Sequence, residues 1–220
     1  MSIHSNLEHI KSTLPPHVTL VAVSKTKPIS DILGAYEAGQ RIFGENKIQE
    51  MTEKWEQMPK NIEWHMIGHV QSNKVKYMAE YVTLIHGVDS LKLLSEIDKQ
   101  AQKNDRVIDC LLQMYIAEEE SKFGLDENEL NELLQSDEFK SFENIRIVGL
   151  MGMATFTEDK NQIKKEFTHL KSIFDKIKAQ PIVNCQLSIL SMGMSGDYEL
   201  AIECGSTMVR IGSSIFGGRS

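Results

Sequence analysis

Short β-branched or apolar runs alternate with longer segments of helical periodicity from residue 19 almost to the C-terminus. The pattern predicts strands over residues 19–23, 41–43, 63–67, 82–86, 107–115, 145–150, 186–190 and 207–211. Between them it predicts helices, among them 30–38, 91–102 and 162–177. In the last of these Ile163, Phe167, Leu170, Ile173, Phe174 and Ile177 share one face. Each helix can serve as a right-handed crossover between parallel strands. Eight such units in 220 residues fit an α/β fold of the (β/α)8 TIM-barrel type, a single domain over residues 1–220. A doubly wound open sheet is the alternative. The eighth strand ends near Ile211, leaving nine residues, too few for a long closing helix. The N-terminal segment 7–14 is therefore expected to cover the bottom of the barrel or the gap between its first and last strands.

Charge and cysteine usage narrow the function. The 24 Lys and Arg against 31 Asp and Glu leave a net charge of −7 with no basic stripe, which argues against general nucleic-acid binding. Lys160, Lys164 and Lys165, beside Glu158, Asp159 and Glu166, read as a solvated helix face. Cys110, Cys185 and Cys204 are an odd number in apolar or helical context, the pattern of reduced packing thiols. The first twenty residues carry no signal-peptide core, and no apolar run is long enough to span a bilayer, so a cytoplasmic protein without membrane contact is expected.

In a barrel of this kind ligands gather where strands end and the following loops begin. At the first such place, Val23-Ser24-Lys25-Thr26-Lys27-Pro28, Lys25 is either a solvent-facing charge or an amine held in a pocket. After the seventh and eighth strands come Ser191-Met192-Gly193-Met194-Ser195-Gly196-Asp197 and Arg210-Ile211-Gly212-Ser213-Ser214. Glycine lets backbone approach a ligand, hydroxyls add donors, and Arg210 is a permanent cation, so these loops suit a phosphate; two ordinary turns with caps at Ser195 and Ser213 are the plainer reading. Asn46 and His65 could each face the pocket or sit as satisfied polar groups. His65 and His69 lie four apart around a glycine with no acidic third ligand nearby, so no metal site is expected. Walker A, G-x-G-x-x-G and G-x-S-x-G sequences are absent.

The segments AVSKTKP at 22–28, FGENKIQE at 43–50, WHMIGHVQSNK at 64–74, KFGL at 122–125, GLMGMATF at 149–156, LSMGMSGDYELAI at 190–202 and GSTMVRIGSSIFG at 205–217 closely resemble, in order, the pyridoxal-phosphate homeostasis proteins. These are single-domain relatives of the N-terminal barrel of alanine racemase. The resemblance implies that Lys25 carries pyridoxal 5'-phosphate (PLP) as a Schiff base. It further implies that Ser191, Arg210, Gly212 and Ser213 lie around the phosphate and ring, and that Asn46 lines the pocket. Lys27 is the competing amine, two residues further along and beside Pro28. Tyr115 stands where the family more often has asparagine, and Gly87 where serine is usual.

An amine attacks an aldehyde only when neutral, and free lysine has a pKa of about 10.4, so such a site must lower it. If Arg210 faces the pyridine nitrogen it cannot give up a proton, and the ring becomes a weaker electron sink. No separate β-rich domain follows the last predicted strand. These points favour a non-catalytic PLP carrier over a PLP-dependent amino-acid racemase, with a phosphosugar barrel a distant third, and the resemblance implies that the carrier acts in intracellular vitamin B6 homeostasis. The expected partners are the cofactor and, transiently, PLP-dependent apoenzymes, and the expected state is a monomer.

Overall fold

The computed structural model describes residues 2–118 and 123–218. Eight strands, β1 (Thr19–Val23), β2 (Ile42–Glu45), β3 (Glu63–Met66), β4 (Leu84–Val88), β5 (Ile108–Gln113), β6 (Ile145–Met151), β7 (Cys185–Met194) and β8 (Met208–Ile211), close into a barrel in chain order. Every neighbouring pair is parallel, including β1 with β8, where Val21 stands beside Arg210. The open-sheet alternative is thereby excluded. The helices are α1 (Ile3–Thr13), α2 (Ile29–Glu37), α3 (Ile48–Gln57), α4 (Leu91–Lys103), α5 (Glu127–Gln135), α6 (Asp137–Lys140), α7 (Lys160–Lys178), α8 (Tyr198–Glu203) and α9 (Ser213–Phe216), with a 3-10 turn at Ser72–Tyr77.

Successive strand residues face opposite sides of the wall, and this divides the core in two. Outside, one large apolar cluster, including Phe43, Trp64, Phe139 and Phe167, lies between strands and helices. Inside, Val21, Leu84, Leu111, Val148, Met151 and Met208 form a separate layer. That inner layer seals the barrel, so any ligand site has to lie above it, toward the C-terminal strand ends.

The gap left by the short α9 is filled by α1. Ser2 caps that helix by accepting from the Ser5 N–H, Leu7 and Ile10 are buried, and α1 packs against both α9 and α2. Asn6 Nδ2 also donates to the Ile215 carbonyl at 3.0 Å. Of the two expected placements, the one over the gap between the first and last strands is observed, with α1 lying between the helices that follow β8 and β1. A cleft of about 380 Å³ lined by Lys11, Pro15, Arg41 and Glu63 opens at the N-terminal end, away from the face where such barrels carry their chemistry.

Two local expectations are corrected. The seventh strand runs four residues past Leu190, because Ser191 to Met194 keep pairing with Met208 and Arg210 across a bulge; Ser191 is therefore strand, not loop. Glu166 does not join the solvated face of α7. It is 3% exposed and accepts from the Thr155 N–H and Oγ1 at 2.7 Å each, and from the Glu118 N–H at 3.2 Å. One buried carboxylate thus ties together the loops that follow β5 and β6.

Candidate functional site

Lys25 lies two residues beyond β1 and is half-buried. The turn around it closes with the Lys27 N–H donating to the Ser24 carbonyl at 3.1 Å, while Thr26 between them takes a left-handed φ of 62°. Lys27 is committed elsewhere: its Nζ donates to the carbonyls of Phe216 at 3.2 Å and Gly218 at 3.0 Å, holding the end of α9. The two lysines, open to either role by spacing, are separated by what Lys27 grips.

Across the β1–β8 seam, Arg210 is 4% exposed. Its Nη1 donates to the Ser191 carbonyl at 2.9 Å and to Ser191 Oγ at 2.5 Å, and its Nη2 to the Gly152 carbonyl at 3.2 Å. A guanidinium only donates, so Ser191 Oγ accepts here and its own proton goes to His86 Nδ1, 3.0 Å away. His86 then carries its hydrogen on Nε2 and donates it to His65 Nδ1 at 3.0 Å, which leaves the His65 proton on Nε2. Arginine sets the polarity of the whole chain.

Burial keeps both histidines neutral. It pushes His65 down to about 3 and His86 well below its ordinary value, the latter helped by His65 and by the Arg210 charge. Burial lowers Arg210 to about 10, partly offset by Asp197, so it remains a cation at neutral pH. His65 is thus the satisfied interior group of the two readings considered.

The loop after β8 presses against the exit of β1. A Cβ on Gly212 would sit 3.1 Å from the Val23 carbonyl oxygen, and the Gly212 N–H donates to Ser195 Oγ at 3.3 Å. Ser195 therefore does not cap α8, and Ser213 is the first, exposed residue of α9 rather than its cap. Asn46 follows β2 and is half-buried, with Gly68 so close that a Cβ there would lie 2.4 Å from the Asn46 carbonyl oxygen. Lys25, Asn46, Ser191, Arg210, Gly212 and Ser213 occupy one continuous arc of the barrel, β7–β8–β1–β2.

The model of the alanine racemase N-terminal domain family matches residues 1–220. The pyridoxal phosphate homeostasis protein of Pasteurella multocida is 40% identical over 99% of this chain and 94% of its own length. That of Aquifex aeolicus is 39% identical over 91% and 86%. The chain belongs to the pyridoxal phosphate homeostasis protein family. PipY of Synechococcus elongatus, solved with PLP bound, is 35% identical, with a TM-score of 0.89 over 98% of this chain and 100% of its own. An alanine racemase from Bartonella henselae shares the fold at a TM-score of 0.72 but only 18% identity, and this chain spans 58% of it.

Of the two departures from the usual family residues, Gly87 has a spatial cause, since a Cβ there would lie 2.5 Å from the Gly68 carbonyl oxygen. Tyr115 donates its backbone N–H to the Leu125 carbonyl at 2.9 Å. Four buried or half-buried groups near the site went unnoticed in the sequence: His86, Glu45, Glu50 and Lys54. A signal for Lys54 was present. It occupies the buried stripe Ile48, Met51, Lys54 of α3, where a lysine needs an ionic partner.

Proposed function

We propose that this chain is a single-domain PLP carrier, residues 1–220, that holds pyridoxal 5'-phosphate as a Schiff base on Lys25 and acts in intracellular vitamin B6 homeostasis without robust catalysis of its own. The observation that carries this reading is that the strand leading to Lys25 adjoins the Gly212 loop and the strand of buried Arg210 across the β1–β8 seam, with Val21 beside Arg210 and Val23 against Gly212. The donor set fits the cofactor. Arg210 supplies a fixed positive charge that Ser191 orients, Ser195 and Ser213 supply hydroxyls, and Gly212 packs tightly, a Cβ there falling 3.1 Å from the Val23 carbonyl oxygen. Asn46 adds an amide at the β2 exit.

Bound there, PLP supplies an aldehyde that joins Lys25 Nζ through a C=N bond with loss of water. The protein's own groups hold and orient. Arg210 donates without releasing its proton, and Ser191 passes that constraint to His86 and His65, both neutral and engaged. Racemisation needs two proton-transfer groups on opposite faces of the substrate, and this closed relay supplies neither. The names of the curated relatives support homeostasis, and the racemase likeness supports the fold alone. We further infer a cytoplasmic monomer that contacts PLP-dependent apoenzymes transiently; no helix among the described residues is long and apolar enough to cross a membrane.

The deciding experiment is borohydride reduction of the PLP-saturated protein followed by peptide mapping. The label is expected on Lys25, and Lys25→Ala is expected to be colourless. A label on Lys27, or none, overturns the assignment. Chiral analysis after incubation with L-alanine tests the alternative, PLP-dependent amino-acid racemase: sustained racemisation would replace the carrier reading.

A further inference from the structure

Both peptide neighbours of Lys25 end on one buried ionic cluster. Lys54 Nζ, on a side chain 7% exposed, donates to the Ser24 carbonyl at 2.8 Å and to Glu45 Oε1 and Glu50 Oε1 at 2.7 Å each. The Ser24 hydroxyl donates to the same Glu45 oxygen at 2.6 Å, and the Thr26 N–H donates to the same Glu50 oxygen at 2.6 Å. The cluster is costly. Glu45 is fully buried, its Oε2 has no hydrogen-bond partner, and burial pushes its carboxyl above the ordinary range. Apolar residues of similar size would pack α3 onto the barrel with less desolvation. They could neither donate to the Ser24 carbonyl nor accept from the Thr26 N–H.

What the cluster holds is itself strained. A β-branched residue at a φ of 62° is a genuine outlier, because its Cβ substituents crowd the backbone. We propose that Lys54, with Glu45 and Glu50, is a positioning device that holds the Ser24–Thr26 turn in its left-handed form and so fixes the direction in which Lys25 leaves β1. The amine is then aimed before any ligand arrives, and ordering it costs nothing at the moment of reaction. The inference rests on the reading of Lys25 as the attachment point, but the turn exists in the unloaded protein and can be measured there.

The test uses Lys54→Met, Glu50→Ala at the more exposed end of the cluster in case the first variant fails to fold, and Thr26→Gly alone and combined with each. In unloaded protein, hydrogen exchange at the Thr26 amide is expected to quicken about tenfold or more in the cluster variants, the equivalent of one charged hydrogen bond. With PLP added, the visible absorbance of the Lys25 adduct should rise about tenfold more slowly for the same reason. Glycine accepts a left-handed φ without strain, so Thr26→Gly should restore more than half of the lost rate in each combination while leaving the parent rate nearly unchanged. A purely structural anchor for α3 would show no such rescue. The proposal is overturned if a folded cluster variant keeps the parent rate and Thr26 protection, or if Thr26→Gly recovers nothing. Should borohydride label no Lys25 in the parent protein, the cofactor reading fails, and Thr26 exchange alone decides whether the device exists.

Discussion

At the scale of single residues, the site is governed by what each polar atom can reach. Lys25 and Lys27 are two residues apart and chemically identical, yet the Lys27 ammonium is spent on two carbonyls at the end of α9. His65 and His86 are neutral because burial strips water from both rings and neither has a carboxylate partner, while His65 and Arg210 add to the effect at His86. This makes stability depend on pH. The folded-state pKa of His65, about 3, lies below its unfolded value of about 6.5, so the unfolded chain binds the proton first as pH falls. The stabilising contribution is complete above that unfolded value and is lost progressively toward the folded one. At pH 5 the loss is about 2 kcal/mol for His65, and His86, lowered by the same burial, adds to it in the same direction. Glu45, raised by burial, titrates in the opposite sense and partly compensates. Urea denaturation at pH 7.5 and pH 5 should show the drop, and His65→Asn should shrink it by about 2 kcal/mol. An unchanged pH slope would mean that His65 accepts a proton inside the barrel.

At the scale of elements, much was legible. The sequence pattern places β1 at its observed bounds, and α4 and α7 within two residues of theirs, because amphipathic alternation is a local property. Errors came where a distant partner overrode the local signal. The strand after α7 outruns its apolar core because β8 offers a continuing ladder, and Glu166 turns inward because two loops bring it donors. The placement of α1 follows from packing alone, with Leu7 fully buried under it. Leu7→Ala should cost about 2–5 kcal/mol, read by urea denaturation, since α1 closes the helical layer where α9 is too short. A change below about 1 kcal/mol would show that the layer collapses onto the cavity without loss.

For the whole molecule, ligand binding and folding are linked. PLP that binds only the folded barrel should raise its stability by about 2.7 kcal/mol at a hundredfold excess over Kd, visible as a concentration-dependent rise in Tm. Lys25→Ala should lose the part of that rise contributed by the covalent bond, and an equal rise in the variant would place the attachment elsewhere. The candidate site was legible in the same measure as the fold. Lys25 at a strand end, and the glycine and hydroxyl loops after β7 and β8, are spacings within a few residues. The sequence by itself therefore determined the order of strands and helices, the family, and the segments proposed to carry the chemistry. Tertiary structure alone decided that β8 closes on β1, that Arg210 polarises a chain through Ser191 to histidines more than a hundred residues away, and that Lys54 reaches back thirty residues to grip the turn at Lys25. The physical reason is that hydrogen bonds between remote side chains depend on strand register and barrel closure, which no local pattern of apolar and polar residues encodes.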